Sequence, residues 1–154
     1  MSFEIVEWRI GPGIVALSPM PVSLEDFDRV AAWAPSAVVS VTSEAEMAAK
    51  GTGIQGRLQS GQWTWHHAPI VDFGVPSAEF MNNWPALSAE LLGQLEKGGR
   101  VLVHCKGGCG RSGMLVLALM VLSGKNATTA LSNIRATRPC AVETNDQFQW
   151  ASNV

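Results

Sequence analysis

The chain contains no tyrosine, so it cannot itself be regulated by tyrosine phosphorylation. Cysteine is scarce too: Cys105, Cys109 and Cys140 make an odd set of three. No disulfide framework of the kind that staples small secreted domains is expected from them, which favours a reducing compartment. Charged residues are only 16% of the chain and leave a formal net charge of −2. A global basic field is therefore missing, and neither nucleic acid nor an anionic membrane surface is an expected partner. An anionic substrate would have to be drawn by a local site. Long hydrophobic runs are missing as well, the longest being the nine residues Met114 to Leu122, where a membrane-crossing helix takes about 20. The opening stretch Met1 to Ile10 carries Glu4 and Glu7 where a signal peptide carries positive charge ahead of an apolar run. A soluble, cytoplasmic protein is the expectation.

What is present is a chain of 154 residues, 47% of them apolar, long enough for one domain with a real core. No repeat, low-complexity tract or linker divides residues 1–154. Strands are expected over Phe3–Ile10 and Ile14–Leu17 around a Gly11-Pro12-Gly13 turn, over Ala37–Val41, Trp63–His67 and Arg100–His104. Helices are expected over Leu24–Trp33 behind a Ser23 N-cap, from Ser43 to about Lys50, from a Ser77 cap to about Glu96, and over Arg111–Leu122, Asn126–Thr137 and Asn145–Ser152. Pro85 either kinks the long helix or breaks it in two. Gly51 to Gly61 is ambiguous, with room for one short helix. Strands alternating with helices imply an α/β fold, a central and mainly parallel sheet of about four to five strands with helices on both faces.

The informative segment is Val101-Leu-Val-His-Cys-Lys-Gly-Gly-Cys-Gly-Arg-Ser-Gly113. A hydrophobic strand ends at His104-Cys105, a glycine-rich loop follows, and an apolar helix starts at Arg111-Ser112. Open α/β sheets bind ligands at the carboxyl ends of their strands, where this loop falls. Gly107, Gly108 and Gly110 let the backbone curl so that successive N–H groups point inward as an anion nest. The helix N-terminus adds unpaired N–H groups and partial positive charge, and Arg111 can close the ring with two parallel hydrogen bonds to a phosphate. Such positively polarised surroundings favour the thiolate form of a cysteine at the mouth, Cys105. From average composition, this set of residues at this spacing arises by chance on the order of once in 10⁵ cysteines.

His104-Cys105-x-x-Gly108-x-x-Arg111-Ser112 resembles the signature of the protein tyrosine phosphatase superfamily. The resemblance implies that Cys105 attacks phosphorus, Arg111 holds the phosphoryl oxygens and Ser112 helps the thiolate leave. It makes His104 a structural neighbour that fixes the loop, and Lys106 a rim residue that tunes substrate preference; residues 104–111 together form the phosphate-binding loop. A phosphocysteine mechanism also needs a general acid, because an alkoxide or phenoxide leaves poorly. Ile70-Val71-Asp72-Phe73-Gly74-Val75-Pro76 is similar to the mobile acid loop of the dual-specificity branch, which makes Asp72 the candidate ahead of Asp26, Asp28 and Asp146. Arg138-Pro139-Cys140-Ala141-Val142-Glu143-Thr144-Asn145-Asp146-Gln147-Phe148 resembles the segment that, in the cyclin-dependent kinase-associated phosphatase group, carries a glutamine facing the active site. By that resemblance Gln147 orients the hydrolytic water; otherwise it is an ordinary helix residue. Arg138 is either a second anion contact or, as favoured here, a charge at a helix C-terminus.

The implied activity is a cysteine-dependent phosphomonoester hydrolase that needs no metal or other cofactor. A phosphorylated protein is the favoured substrate, with phosphoinositide, nucleotide or sugar phosphates as alternatives. A catalytically silent phosphate-binding module is the rival from another class. His66 and His67 invite a metal, but adjacent residues on a strand face opposite ways and lack partners at ligand spacing. Cys109 is either a small loop filler or a thiol that traps oxidised Cys105 as a disulfide, with Cys140 as the other possible partner. Oligomeric state is not legible in the sequence.

Overall fold

Side-chain alternation along three central strands decides the architecture. The computed structural model describes residues 2–154; Met1, the first residue of the stretch read above for a signal peptide, lies outside them. Five strands, β1 (Val6–Ile10), β2 (Gly13–Ser18), β3 (Ala37–Ser40), β4 (Thr64–His67) and β5 (Arg100–His104), form one sheet in the order β1-β2-β5-β3-β4. β1 and β2 pair antiparallel, and the other pairings are parallel. Val15, Leu17, Val39, Val101 and Val103 point into one core, and Ala16, Val38 and Leu102 point into a second core on the opposite face. Central strands buried on both sides need helices on both sides.

The first face is covered by α4 (Ala78–Glu96), α5 (Gly110–Leu122), α6 (Ala127–Thr137) and α7 (Asn145–Ser152). The second is covered by α1 (Leu24–Trp33), α2 (Glu44–Lys50) and α3 (Ile54–Ser60), through Phe27, Val30, Met47, Ile54 and Leu58. The mainly parallel α/β sheet between two helical layers is the architecture expected. The Gly-rich stretch holds one short helix, α3, because Ile54 and Leu58 sit four apart on one face and both are buried.

Most boundaries fall within a residue or so of the sequence expectation, and two points call for a physical reason. β1 starts at Val6 rather than Phe3: the Phe3 side chain is buried in the second core, and its carbonyl accepts a hydrogen bond from Arg29. Pro85 does not divide α4. Phe80, Trp84, Ser88, Leu91 and Leu95 form one buried stripe that runs across it, and this packing holds the helix together around the missing N–H. No helix among the described residues is long and apolar enough to cross a membrane.

Candidate active site

The site forms where the parallel strands end. β3 and β5 lie in register with Ser40 beside His104, and the chain leaves β5 through Cys105 into the glycine loop that opens α5. Gly108 is in the left-handed region at φ +70, and a Cβ there would lie 2.6 Å from the Pro19 nitrogen and 2.7 Å from the Ser18 carbonyl carbon. Backbone cannot yield as a side chain can, so the loop closes on the β2–α1 connection only with glycine at this position. Cys105 is buried, and its Sγ lies 3.1 Å from Ser112 Oγ in the first turn of α5.

Behind Cys105 runs a buried polar relay. Trp65 Nε1 donates to Ser40 Oγ (2.8 Å), Ser40 Oγ meets His104 Nε2 (2.5 Å), and His104 Nδ1 lies 3.1 Å from the Cys105 carbonyl oxygen. The Cys105 carbonyl can only accept, so in the neutral ring Nε2 is bare and takes the Ser40 hydroxyl hydrogen, while the Ser40 oxygen accepts the indole N–H. Nδ1 then carries the ring hydrogen and donates it to the Cys105 carbonyl, which fixes the neutral tautomer. Burial pushes the His104 pKa down to about 4, more than its hydrogen bond to the Cys105 backbone raises it.

That shift makes a stability prediction. The unfolded chain takes up a proton on His104 near pH 6.5, and the folded chain does so only near 4. Between those values the unfolded state binds more protons, so stability falls as the pH is lowered. Going from pH 7 to pH 4.5 should lower stability by roughly 2–3 kcal/mol, read as a lower urea midpoint, and His104→Asn should flatten that slope. Glu46, whose carboxyl is held below its ordinary value of 4.5, begins to lose its own contribution only near the lower edge of this window, so His104 dominates the slope above it. An unchanged wild-type midpoint across it would contradict the relay as described.

Arg111 is the largest fully buried side chain. Nη1 and Nη2 donate to the two Glu46 oxygens at 2.9 Å each, and Nη1 also donates to the Ile70 carbonyl at 3.0 Å. Burial alone would lower the guanidinium's pKa; the Glu46 carboxylate outweighs this and raises it, with Cys105 and Asp72 adding to the effect. On Glu46 the hydrogen bond from Arg111 dominates and holds its carboxyl low against the opposing desolvation. Glu46 does a second job. Its carboxylate accepts from the Ser43 backbone N–H at 3.1 Å while Ser43 Oγ accepts from the Glu46 N–H, a capping box at the start of α2. Helix capping and the orientation of Arg111 thus share one carboxylate. Glu46 was not among the residues expected from the sequence, although Ser43-x-x-Glu46 is readable there as a capping box.

Asp72 sits in the exposed turn after Ile70, with Oδ1 3.4 Å from Arg111 Nη2 and 3.1 Å from the Phe73 N–H, which it accepts. Gln147 is fully buried. Its Oε1 accepts from the Glu143 N–H (2.8 Å) and its Nε2 donates to the Gly74 carbonyl (3.1 Å), tying the Asp72 turn to the start of α7. Arg138 does more than place a charge at a helix end. It ends α6 and donates to the Gly108 carbonyl from Nε (2.9 Å) and to the Gly107 carbonyl from Nη2 (3.0 Å). These two bonds engage the Gly107 and Gly108 carbonyls and tie the glycine loop to the end of α6. Among the described residues no group of three or more His, Cys, Asp or Glu is arranged to hold a metal ion.

The cysteine expectations are corrected. Cys109 and Cys140 form a disulfide with Cα atoms 5.1 Å apart, and Cys105 is the free thiol. Neither pairing of Cys105 with Cys109 or Cys140 is present, and the odd count did not preclude one bridge. The cause is packing. At Gly113 a Cβ would lie 2.8 Å from both Ala141 Cβ and the Val142 nitrogen, so the segment after α6 crosses directly over α5. That crossing brings Cys140 beside the N-cap position that Cys109 occupies. Closing a separation of 31 residues should stabilise the oxidised protein by about 4 kcal/mol. Cys140→Ser should lower the urea unfolding free energy by that amount, and reductant should bring the wild type to the same value. A wild type indifferent to reductant would show that the bridge contributes nothing.

The family model described as Swiss Army Knife protein, DSP-PTPase phosphatase domain, matches residues 4–153. The probable protein tyrosine phosphatase type IVA A of Dictyostelium discoideum is 30% identical over 88 residues, 57% of this chain and 52% of that protein. The chain thus spans about half the length of this curated relative. Tk-PTP, solved in its active form, is 33% identical with a TM-score of 0.69 over 88% of this chain and 86% of its own. Kinase-associated phosphatase, solved with its catalytic cysteine replaced by serine, shares the fold at a TM-score of 0.84 and 18% identity, over 98% and 93% of the two chains. PTPMT1, solved in complex with PI(5)P, shares it at 0.74 and 21%, over 95% and 92%.

Proposed function

The chain belongs to the DSP-PTPase phosphatase domain family, and we propose that it hydrolyses phosphomonoesters of the tyrosine or dual-specificity kind through a phosphocysteine on Cys105. The observation that carries this reading is the Cys105 Sγ, 3.1 Å from Ser112 Oγ, on the glycine loop whose Arg111 is held by Glu46. The Cys105 thiolate attacks phosphorus; the S–P bond forms as the P–O bond to the leaving group breaks, and Asp72 gives that oxygen its proton. Water then attacks the phosphocysteine, the S–P bond breaks, and Asp72 takes the proton back from the water. Ser112 donates to the sulfur as it departs, so it stabilises the thiolate at both ends of the cycle.

Arg111 has a division of labour written in its partners. Glu46 takes one hydrogen from each terminal nitrogen, Ile70 takes the other on Nη1, and Asp72 lies against Nη2. The edge formed by Nε–H and the remaining Nη2 hydrogen is the one left for two phosphoryl oxygens. Phosphate binding at that edge displaces Asp72 from the guanidinium and frees it to act as the acid. Gln147 steadies the turn that carries Asp72, and its second amide hydrogen is available to the hydrolytic water.

The test is direct. Wild-type protein should turn over para-nitrophenyl phosphate in the presence of chelator, be inhibited by vanadate, and yield on acid quench a phosphoryl group on the peptide that contains Cys105. Orthophosphate binding without turnover on any phosphomonoester tried would instead support the silent binding module.

A further inference from the structure

The phosphate loop has a neighbour that the proposed chemistry does not use. A cleft of about 240 Å³ is lined by Lys106, the residue after the nucleophile, by Lys50 at the end of α2, and by Phe3, Pro19, Met20 and Val22, with Asp26 at one side. Its connection to the catalytic centre is short. The Lys106 carbonyl accepts from the Met20 N–H at 3.1 Å. On α2, Lys50 lies four residues after Glu46 and so on the same face, one turn beyond the carboxylate that grips Arg111.

The two ammonium groups are exposed, and among the described residues neither makes a salt bridge or hydrogen bond to a carboxylate. The one acid in the cleft is already engaged, since Asp26 Oδ2 accepts the backbone N–H groups of Val22 and Ser23 at 2.9 and 3.1 Å. In a chain of net charge −2, two unpaired cations therefore flank a small hollow beside the loop that holds the scissile phosphate. The hollow is below the ~300–1,000 Å³ of a whole-ligand pocket, a size for one substituent rather than a molecule. Ammonium groups act as point charges with three donors each and lack the planar fork that matches a carboxylate, so a pair of them suits a tetrahedral dianion.

We propose that this cleft is a second anion subsite, and that the substrate carries a second phosphate, on the same small molecule as the one cleaved, seated between Lys50 and Lys106. The inference rests on the phosphatase reading and narrows it to bisphosphorylated small molecules. Lys50 selects substrate through binding, not through the chemical step.

A panel of soluble inositol bisphosphates and their parent monophosphates tests it, with para-nitrophenyl phosphate as the reference and an acidic phosphotyrosine peptide as the competing arm. At least one bisphosphate should exceed its monophosphate about 10-fold in kcat/KM, carried by KM and weakened by salt. Lys50→Glu should remove that preference and leave kcat on para-nitrophenyl phosphate unchanged. Calorimetry on the Cys105→Ser protein should show the same Lys50-dependent gap in affinity without turnover. The proposal falls if no bisphosphate gains in either measurement, if Lys50→Glu keeps the gain, or if only the acidic peptide gains. Turnover of para-nitrophenyl phosphate without a bisphosphate gain overturns the subsite alone, whereas its absence, with no phosphoenzyme, overturns the phosphatase reading.

Discussion

Cys105→Ser should lower turnover of para-nitrophenyl phosphate by about 10⁴-fold or more while orthophosphate and vanadate still bind. The expectation follows from what surrounds Sγ. Ser112 Oγ at 3.1 Å and the loop N–H groups form a setting that stabilises an existing anion. They contain no base able to take a proton from an alcohol. His104 is no such base, since its Nδ1 hydrogen is committed to the Cys105 carbonyl and its Nε2 to Ser40. A serine at this position therefore stays protonated and its oxygen falls short of the phosphorus. Binding survives because Arg111, its Glu46 partner and the loop backbone all stay in place when only the Sγ atom is exchanged. Thermal unfolding should move little, since an atom of similar size is exchanged at a site with a hydroxyl already beside it. The measurement is single-turnover kinetics with mass detection of phosphoenzyme. A phosphoserine accumulating at wild-type rate would show that a base for position 105 had been overlooked.

The candidate site is legible in the sequence where its parts lie close along the chain. His104 through Ser112 reads as strand, anion loop and helix start because glycine, cysteine and arginine act there through backbone geometry that short spacing dictates. The sheet was readable for a similar reason: Val-Val and Val-Leu-Val runs fit strands buried on both faces. Contacts made across the fold were hidden. Glu46 reaches Arg111 over 65 positions and Arg138 reaches Gly107 over 31, and no local pattern announces either. Ser43-x-x-Glu46 did mark a helix start, but capping accounts for only part of what that carboxylate does. Cys109 and Cys140 meet because Gly113 lets a later segment cross α5, and a glycine inside an apolar helix gives no hint of its neighbour. The long-range partners thus come from the same parallel topology that gathers strand ends at one edge.

That topology also explains why loss of the acid should be large but graded. Asp72→Ala is expected to slow phosphoenzyme formation by roughly 10²–10⁴-fold, with the larger loss on the poorer leaving group. Asp72 stands 3.4 Å from Arg111 in a half-exposed turn, and Gln147 and the Gly74 carbonyl hold that turn in place. The carboxyl is thus close enough to the phosphate edge of Arg111 to meet a departing oxygen once the phosphate has taken its place there. Phenoxide needs that proton far more than para-nitrophenoxide does, so the rate ratio between phenyl phosphate and para-nitrophenyl phosphate should widen in the variant. Affinity for orthophosphate should rise or hold, because removing Asp72 frees Arg111 from a competing carboxylate. The two effects have opposite signs, which separates an acid from a residue that only shapes the loop: damage to the loop would weaken phosphate binding and slow both esters alike. Equal slowing of both esters with weaker orthophosphate binding would move the acid's role to another group and leave Asp72 as a partner of Arg111.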